Sequence, residues 1–348
     1  MKNKKIRLTK ISSIVRRLHL PYEVEISPVI TPCEGGVIVV EALDHAGKNN
    51  VFELSSGRIG KLIKGDIIPA VLGKRRALRE YSCDIPHSLK PGDELYFSCE
   101  SGLVGEINGV NENWGTPMKV KVLGSLKKGK KFLNIKDYGL KKTFSKKNSV
   151  PIIAVVGTCM DSGKTTIICK IAQYLRNKGV KISGAKLTGV AFMQDPFKMK
   201  DSGIDPVVDF VDAGLPSTCG NSEEVLQAVF SIIGEVNKSH PDVIIAEFGD
   251  GLIGEYHVSN ILKNEWFKKQ VKVLIVAAND LVAAWGAKQF VQSLGLDVDL
   301  FSGPAVNSHT GIKFIENHLN TPAESNLHAV PKTIQVIERK LKKSITKL

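Results

Sequence analysis

No stretch of the chain approaches the roughly 18 apolar residues needed to cross a bilayer, and the basic start, MKNKKIRLTKISSIVRRLHL, lacks the continuous apolar core of a secretory signal. A membrane span is therefore not expected, and the expected location is the cytoplasm. Cysteine is sparse and unpatterned. Cys33, Cys83, Cys99, Cys159, Cys169 and Cys219 form no CxxC pair, and no histidine cluster accompanies them, which argues against a zinc site or a disulfide framework. Aromatic residues make up only 6% of the chain, so its cores should be aliphatic. Acidic residues are in deficit, 35 against 48 Lys and Arg, leaving a net charge of +13. That excess sits mainly in the first 17 residues, in Lys127–Lys147 and in Arg339–Lys347. No aromatic residues interleave with these lysines as on a nucleic-acid platform. A solvated charged surface is the favoured reading, and nucleic acid the less favoured partner.

What is present is enough apolar residue, 43% of 348, for two cores. Residues 1–125 read as a β-rich domain. Short apolar runs (Gly36–Val40, Ile67–Leu72, Leu95–Ser98, Val120–Leu123) alternate with turn signals, a spacing that predicts a small barrel or sandwich. Asp66 and Asp93 each follow a glycine just before an apolar run, which marks them as turn residues. Residues 126–150 are Lys-rich and predict an exposed linker. From Pro151 to about residue 330, apolar runs alternate with helical patterns. The strands expected are Ile152–Val156, Val180–Leu187, Val243–Ala246, Val273–Ala277 and Leu300–Val306. The helices expected are Lys164–Lys178, Pro206–Ala213, Ser222–Lys238 and Leu281–Leu294. The alternation predicts an α/β domain with a mostly parallel sheet and helices on both faces. Residues 331–348 predict a basic C-terminal helix, and the polar stretch from Asp195 to Pro206 reads as mobile.

The strongest signal lies where the first of these strands ends. Ile152-Ile-Ala-Val-Val-Gly157-Thr158-Cys159-Met160-Asp161-Ser162-Gly163-Lys164-Thr165-Thr166 is a strand, a glycine-bounded loop and a helix start. Backbone N–H groups of such a loop converge on phosphate oxygens, and the helix start adds partial positive charge. Gly163 permits close approach, Lys164 would reach the terminal phosphates, and the Thr165 hydroxyl would hold Mg²⁺. Thr158 stands where the standard Gly-x₄-Gly-Lys-Ser/Thr pattern has its first glycine; here that glycine comes one residue earlier, giving Gly157-Thr-x₄-Gly-Lys-Thr. Cys159, inside the loop, reads as a small loop residue.

A phosphate loop of this kind works with a carboxylate on a neighbouring strand. Asp242-Val-Ile-Ile-Ala-Glu247-Phe-Gly-Asp250-Gly offers Glu247 at a strand end, followed by a glycine-rich loop in which Asp250 reads as a turn residue. Ligands of open α/β sheets bind at that edge. Lys186, at the end of the next strand, would be costly there without an anion, which makes it a candidate for a substrate carboxylate or phosphate. Asp205, before Pro206, reads equally as a helix cap or as a metal ligand.

Gly157-Thr-x₄-Gly-Lys-Thr, Lys186-x-Thr-Gly189 and Glu247-x-Gly resemble dethiobiotin synthetase, of the P-loop class that includes the cobyrinic acid amide synthases and MobB-like proteins. The resemblance implies that Lys164 and Thr165 hold ATP and Mg²⁺ and that Lys186 holds substrate. It further implies that Asp205 (or Asp201) and Glu247 complete the metal site, and that Asn307 contacts the base. Asp205-Pro-Val-Val-Asp-Phe-Val-Asp-Ala-Gly214 with Glu247-Phe-Gly-Asp-Gly also resembles the C-terminal domain of the DUF1611 family, some members of which are described as DgcN-type N-acyltransferases. Both resemblances cover residues 151 to about 310, and the N-terminal domain matches neither. Positions 158–162 lack the extra lysine of MinD-type switch ATPases.

Three readings follow. The leading one is an ATP- and Mg²⁺-dependent enzyme that phosphorylates or ligates a small anionic, carboxylate-bearing substrate, with Lys164, Lys186 and Glu247 as its catalytic groups. Nucleotide contacts are expected from Gly157, Thr158, Asp161, Ser162, Gly163, Lys164, Thr165, Thr166 and Asn307, and metal contacts from Thr165, Asp205 and Glu247. The second is an acyltransferase whose loop grips acetyl-CoA. The third is a nucleotide-gated binding or regulatory protein. A homodimer is left open.

Overall fold

The computed structural model describes residues 3–43, 50–141 and 150–348. The chain divides into two compact units. The first comprises residues 1–141 with Val190–Gln194 and Phe210–Ala228; the second comprises 142–189, Asp195–Asp209 and Val229–Leu348.

The first unit is β-rich, with 3-10 turns at Ser13–Leu18 and Ile135–Tyr138 and the opening turns of the helix that begins at Ser222. Its strands are β1 (Lys4–Arg7), β2 (Glu23–Ser27), β3 (Val37–Ala42), β4 (Val51–Glu53), β5 (Ile59–Lys61), β6 (Ile67–Leu72), β7 (Arg75–Arg76), β8 (Tyr81–Asp84), β9 (Glu94–Cys99), β10 (Leu103–Val110), β11 (Lys119–Lys128) and β12 (Lys131–Phe132). The expected barrel or sandwich resolves as a closed ring. β3 pairs with β6, β6 with β10, β10 with β9, β9 with β11, and β11 returns to β3. Only the β6–β10 pair of this ring is parallel. Inward side chains fill it: Ile38, Val40, Ile68, Ala70, Leu72, Leu95, Phe97, Val104, Val120 and Val122 form one buried cluster. A bulge after Val122 re-registers β11, and Gly124 allows the close approach there, since a Cβ would lie 2.6 Å from the Ser27 carbonyl. Asp66 and Asp93 are turn residues: each accepts a backbone N–H three residues earlier, from Ile63 at 2.8 Å and Lys90 at 2.9 Å.

The expected linker at 126–150 is corrected for the residues up to 141. β11 runs on to Lys128, β12 folds back on it, and Ile135 is buried beyond them. The lysines of Lys-Val-Lys-Val-Leu-Gly-Ser-Leu-Lys-Lys obscure an alternation in which Val120 and Val122 point into the core while Lys119 and Lys121 face solvent. Residues 142–149 of the expected linker lie outside the described residues.

The second unit is a six-stranded parallel sheet in the order β15 (Val207–Asp209), β14 (Ile182–Thr188), β16 (Val243–Phe248), β13 (Ile152–Gly157), β17 (Val271–Ala277) and β18 (Leu300–Ser302). Every residue of β13, β14 and β16 is buried, so both faces of the sheet are covered. The helices are α1 (Lys164–Asn177), α2 (Gln194–Asp201), α3 (Ser222–Asn237), α4 (Val258–Lys263), α5 (Glu265–Gln270), α6 (Leu281–Ser293), α7 (His309–Leu319) and α8 (Pro331–Leu341). Asp280 caps α6 by accepting the Ala283 N–H at 2.7 Å, and Asn264 caps α5 by accepting from Phe267 at 3.1 Å.

Three element expectations are corrected here. The stretch after Asp195 is the helix α2, not a mobile segment. Pro206–Ala213 is not a helix: Val207–Asp209 pairs with Gly184–Lys186 as the edge strand β15. The last strand stops at Ser302, because Gly303 turns the chain with φ +89° into a 3-10 turn at Pro304–Val306. The expected basic C-terminal helix forms over Pro331–Leu341, and Val336, Ile337, Leu341 and Ile345 pack into the core built on β13, α1 and β14.

Candidate functional site

The site lies at the carboxyl edge of the parallel sheet. Gly157 ends β13, and the next backbone group, the Thr158 N–H, donates to Ala277 O at the end of β17 at 3.0 Å. Asp161 and Gly163 both have positive φ, +55° and +89°, which curls the loop before α1 begins at Lys164. Such alternation turns successive N–H groups inward as an anion nest. Glycine is needed at Gly157, where a Cβ would fall 2.4 Å from Ser162 Oγ and 2.8 Å from Lys164 Nζ. The loop that follows β16 closes the other side: Leu252 N–H donates to Gly157 O at 2.8 Å, and Gly251 lies against the Thr158 carbonyl.

Lys164 is buried, and its ammonium bonds to Cys159 O at 2.8 Å and Asp250 O at 3.0 Å, with Ser162 Oγ at 3.4 Å. Burial pulls its pKa below the usual lysine value, against the opposing pull of the Glu247 and Asp250 carboxylates. The loop therefore holds a desolvated cation on carbonyl dipoles, a state that an anionic ligand would stabilise. Asp250 itself is a turn residue, with φ +64°.

Register places the acidic and basic groups side by side. Lys186 on β14 is the partner of Glu247 on β16, and Glu247 is the partner of Val155 on β13. Glu247 is 1% exposed, and its Oε1 accepts from Thr165 Oγ1 at 2.7 Å. Its Oε2 is buried and has no hydrogen-bond partner among the described residues. Burial and the nearby Asp195 carboxylate push the Glu247 pKa up to about 7, against the lowering effect of Lys186, Thr165 and Lys164.

Asp195, in the first turn of α2, was not among the site residues expected from sequence. The structure brings it to Thr165 Oγ1 (3.4 Å) and to Lys186 Nζ (2.6 Å). Burial alone would raise the Asp195 pKa, but the Lys186 charge and hydrogen bond override it and hold it low. Burial alone would lower Lys186, but Asp195 and Glu247 hold it above its usual value. The anion that makes Lys186 tolerable at 4% exposure is thus Asp195 of the same chain. The signal for Asp195 was an aspartate followed by proline, Asp195-Pro196, which suits the first turn of a helix.

Asp205 does not join this group. Its N–H donates to Ile182 O, at the first residue of β14, the end of that strand opposite to Thr188. The expected cap role fails with it, because β15 rather than a helix follows. Asn307 is exposed and accepts from Ser325 Oγ at 2.9 Å. The loops around it do reach the phosphate loop. Asn326 Nδ2 donates to Gly163 O at 3.0 Å, and a Cβ on Gly303 would lie 2.5 Å from Ser162 O. Thr166 is exposed on the first turn of α1.

The donor set near Thr165 is all oxygen: one hydroxyl and two carboxylates, one with an orphaned buried oxygen. That chemistry fits Mg²⁺, which keeps several waters and takes one or two carboxylates beside phosphate oxygens. Among the described residues no three His, Cys, Asp or Glu side chains cluster as a metal cage.

No family model matches the chain, and no curated protein matches it. Solved structures do. One is the signal recognition particle receptor FtsY from Elizabethkingia anophelis in complex with GDP, at 18% identity and TM-score 0.40, covering 55% of this chain and 61% of that one. Another is the cell division protein FtsY from Thermotoga maritima, at 15% identity and TM-score 0.39, covering 56% and 67%. A third is chloroplast FtsY from Physcomitrella patens, at 20% identity and TM-score 0.35, covering 54% and 62%. The chain spans about three fifths of the length of the first of these. At these identities and TM-scores the likenesses carry no further argument. The second unit is a parallel α/β sheet with a glycine-bounded loop between β13 and α1, and among the described residues no helix is long and apolar enough to cross a membrane.

Proposed function

We propose that the protein is an ATP- and Mg²⁺-dependent enzyme that transfers a phosphoryl group to a small, carboxylate-bearing substrate. The observation that carries the reading is the buried Glu247 carboxylate, whose Oε1 accepts from the Thr165 hydroxyl and whose Oε2 has no hydrogen-bond partner among the described residues, beside a phosphate loop whose lysine bonds to the carbonyls of Cys159 and Asp250. Backbone N–H groups of residues 158–163 and Lys164 would bind the phosphates, while Thr165, Glu247 and Asp195 would hold the metal. The bound metal would supply charge neutralisation on the transferring group.

The chain's own groups do the rest. Lys164 exchanges carbonyl dipoles for phosphate oxygens, so its attraction grows where negative charge accumulates. An ammonium has three donors, and the hydrogen bond Lys186 makes here, to Asp195, uses one. The remaining capacity suits a substrate carboxylate or phosphate oxygen. Gly249–Leu252 shields one side of the loop from water, since Gly249 packs on the Thr188 carbonyl and Leu252 bonds to Gly157.

The test is turnover. Full-length protein with ATP and Mg²⁺ should form ADP faster when a panel of small carboxylates is added, and Lys164→Ala should abolish that increment while remaining folded. A Lys164→Ala protein with undiminished turnover would refute the reading. Acetyl-CoA consumption with an amino acid, in place of ADP formation, would move the assignment to acyl transfer.

A further inference from the structure

A cavity of about 460 Å³ opens in the second unit between the end of α7 and one face of α8. None of its lining residues belongs to the phosphate loop or to the carboxyl ends of β13, β14 and β16. The volume is that of a small-molecule site, roughly 300–1,000 Å³. Lys332, Gln335, Val336 and Arg339 line it at the i, i+3, i+4, i+7 spacing that puts four side chains on one helix face. Val336 and Pro322 supply apolar surface, and Glu316 of α7 faces the basic groups. The Lys332 ammonium donates to Glu316, so that pair is neutralised. Arg339 is exposed and makes no ion pair among the described residues, and the Gln335 amide has no partner among them either. The cavity thus presents an unspent guanidinium, whose planar fork matches a carboxylate, next to an amide and an apolar surface.

A short chain of bonds leads from this cavity to the phosphate loop. Lys332 N–H donates to Glu324 Oε1 at 3.0 Å and Thr333 N–H to Glu324 Oε2 at 2.6 Å, which fixes the start of α8. Two residues further on, Asn326 Nδ2 donates to Gly163 O at 3.0 Å. There is no slack at that contact, since a Cβ on Gly163 would lie 2.4 Å from the same Nδ2. All of these residues lie in the second unit. We propose that the cavity is a second ligand site, for a small organic carboxylate held by Arg339 and Gln335, and that its occupant tightens nucleotide binding through Glu324 and Asn326. A ligand bridging α7 and α8 holds the Glu324–Asn326 segment in the arrangement that braces Gly163, so the loop is ordered before the nucleotide arrives. The effect on nucleotide rests on the reading of the loop as an ATP site; binding of the carboxylate does not.

The experiment titrates the full-length protein calorimetrically with benzoate and with succinate, then with ATP and Mg²⁺ in the presence and absence of whichever carboxylate binds. Wild type and Lys164→Ala should both bind at least one of the two. Arg339→Ala should lose that binding, and Gln335→Ala should weaken it about threefold. Lys343→Ala removes a positive charge just past α8, outside the cavity, and should bind as wild type does. The carboxylate should lower the ATP Kd of wild type about fivefold, and Asn326→Ala should keep the carboxylate and lose that effect. Failure of both carboxylates to bind, undiminished binding by Arg339→Ala, or loss of binding in Lys186→Ala with Arg339→Ala unaffected would overturn the site. Carboxylate binding with an unchanged ATP Kd would overturn the coupling. If ATP itself does not bind, the nucleotide reading and the coupling fall together, and the carboxylate titrations alone decide the site.

Discussion

At the residue scale, function and stability pull against each other at Glu247. Its carboxylate is buried, one oxygen lacks a hydrogen-bond partner among the described residues, and Asp195 adds repulsion. Replacing it by the neutral isostere should therefore stabilise the ligand-free protein. We expect Glu247→Gln to gain about 1 to 3 kcal/mol at pH 8, read by chemical denaturation, and to lose the Mg²⁺ dependence of ATP binding. A destabilised Glu247→Gln would mean that the charge is structural. Asp66 shows the opposite sign. Burial would raise its pKa, but bonds from Lys10, Ile63 and Thr9 together with the Lys10 charge lower it below 3.8. A carboxylate depressed in the fold contributes stability above its unfolded value, and that contribution disappears as pH falls through the folded value. Asp66→Asn should thus cost about 1 to 2 kcal/mol at pH 7, with the gap to wild type closing below roughly pH 4. A pH-independent gap would contradict the assignment.

At the element scale, the phosphate loop depends on neighbours that tolerate no side chain. Gly303 combines φ +89° with a Cβ position 2.5 Å from Ser162 O. Gly303→Ala should destabilise by about 1 to 3 kcal/mol and weaken ATP binding by disturbing Ser162, as an ATP titration of the folded variant would show. The strand–loop–helix at 152–166 was legible in sequence because a continuous apolar run, two bounding glycines and a helix start follow one another there without a break. The run Val120–Leu123 of β11 was legible, but its continuation to Lys128 was not, because the bulge at Gly124 breaks the alternation and the lysines that follow resemble a linker. β15 was missed because a short edge strand after a proline carries little periodicity. Asp195 was missed, and Asp205 preferred, because nothing local reveals that α2 returns Asp195 to the sheet's carboxyl edge while Asp205 re-enters at the amino end.

At the scale of the whole molecule, the two units are not consecutive pieces of chain. Phe210, Val211, Leu215 and Val225 are buried, and their segment groups with residues 1–141. Asp212 in that segment pairs with Arg16 at 2.9 Å, and Leu140 N–H donates to Asp212 O. A cut at the boundary suggested by sequence would strand these residues. A 151–348 fragment should therefore bind a hydrophobic dye and aggregate at concentrations where the full chain is monodisperse. A soluble fragment with a sharp melting transition would show that residues 210–228 do not need the first unit. The excess of basic charge is spread over exposed strands and termini such as β1 and α8, the latter held at its apolar face.

The most direct test of the central claim is the melting temperature of wild type and Lys164→Ala with ATP, GTP and acetyl-CoA, each with and without Mg²⁺. A ligand that binds the folded state raises it by mass action. The account predicts a rise with ATP that needs Mg²⁺ and vanishes in Lys164→Ala. A rise with acetyl-CoA alone, or the same response in both proteins, would contradict it.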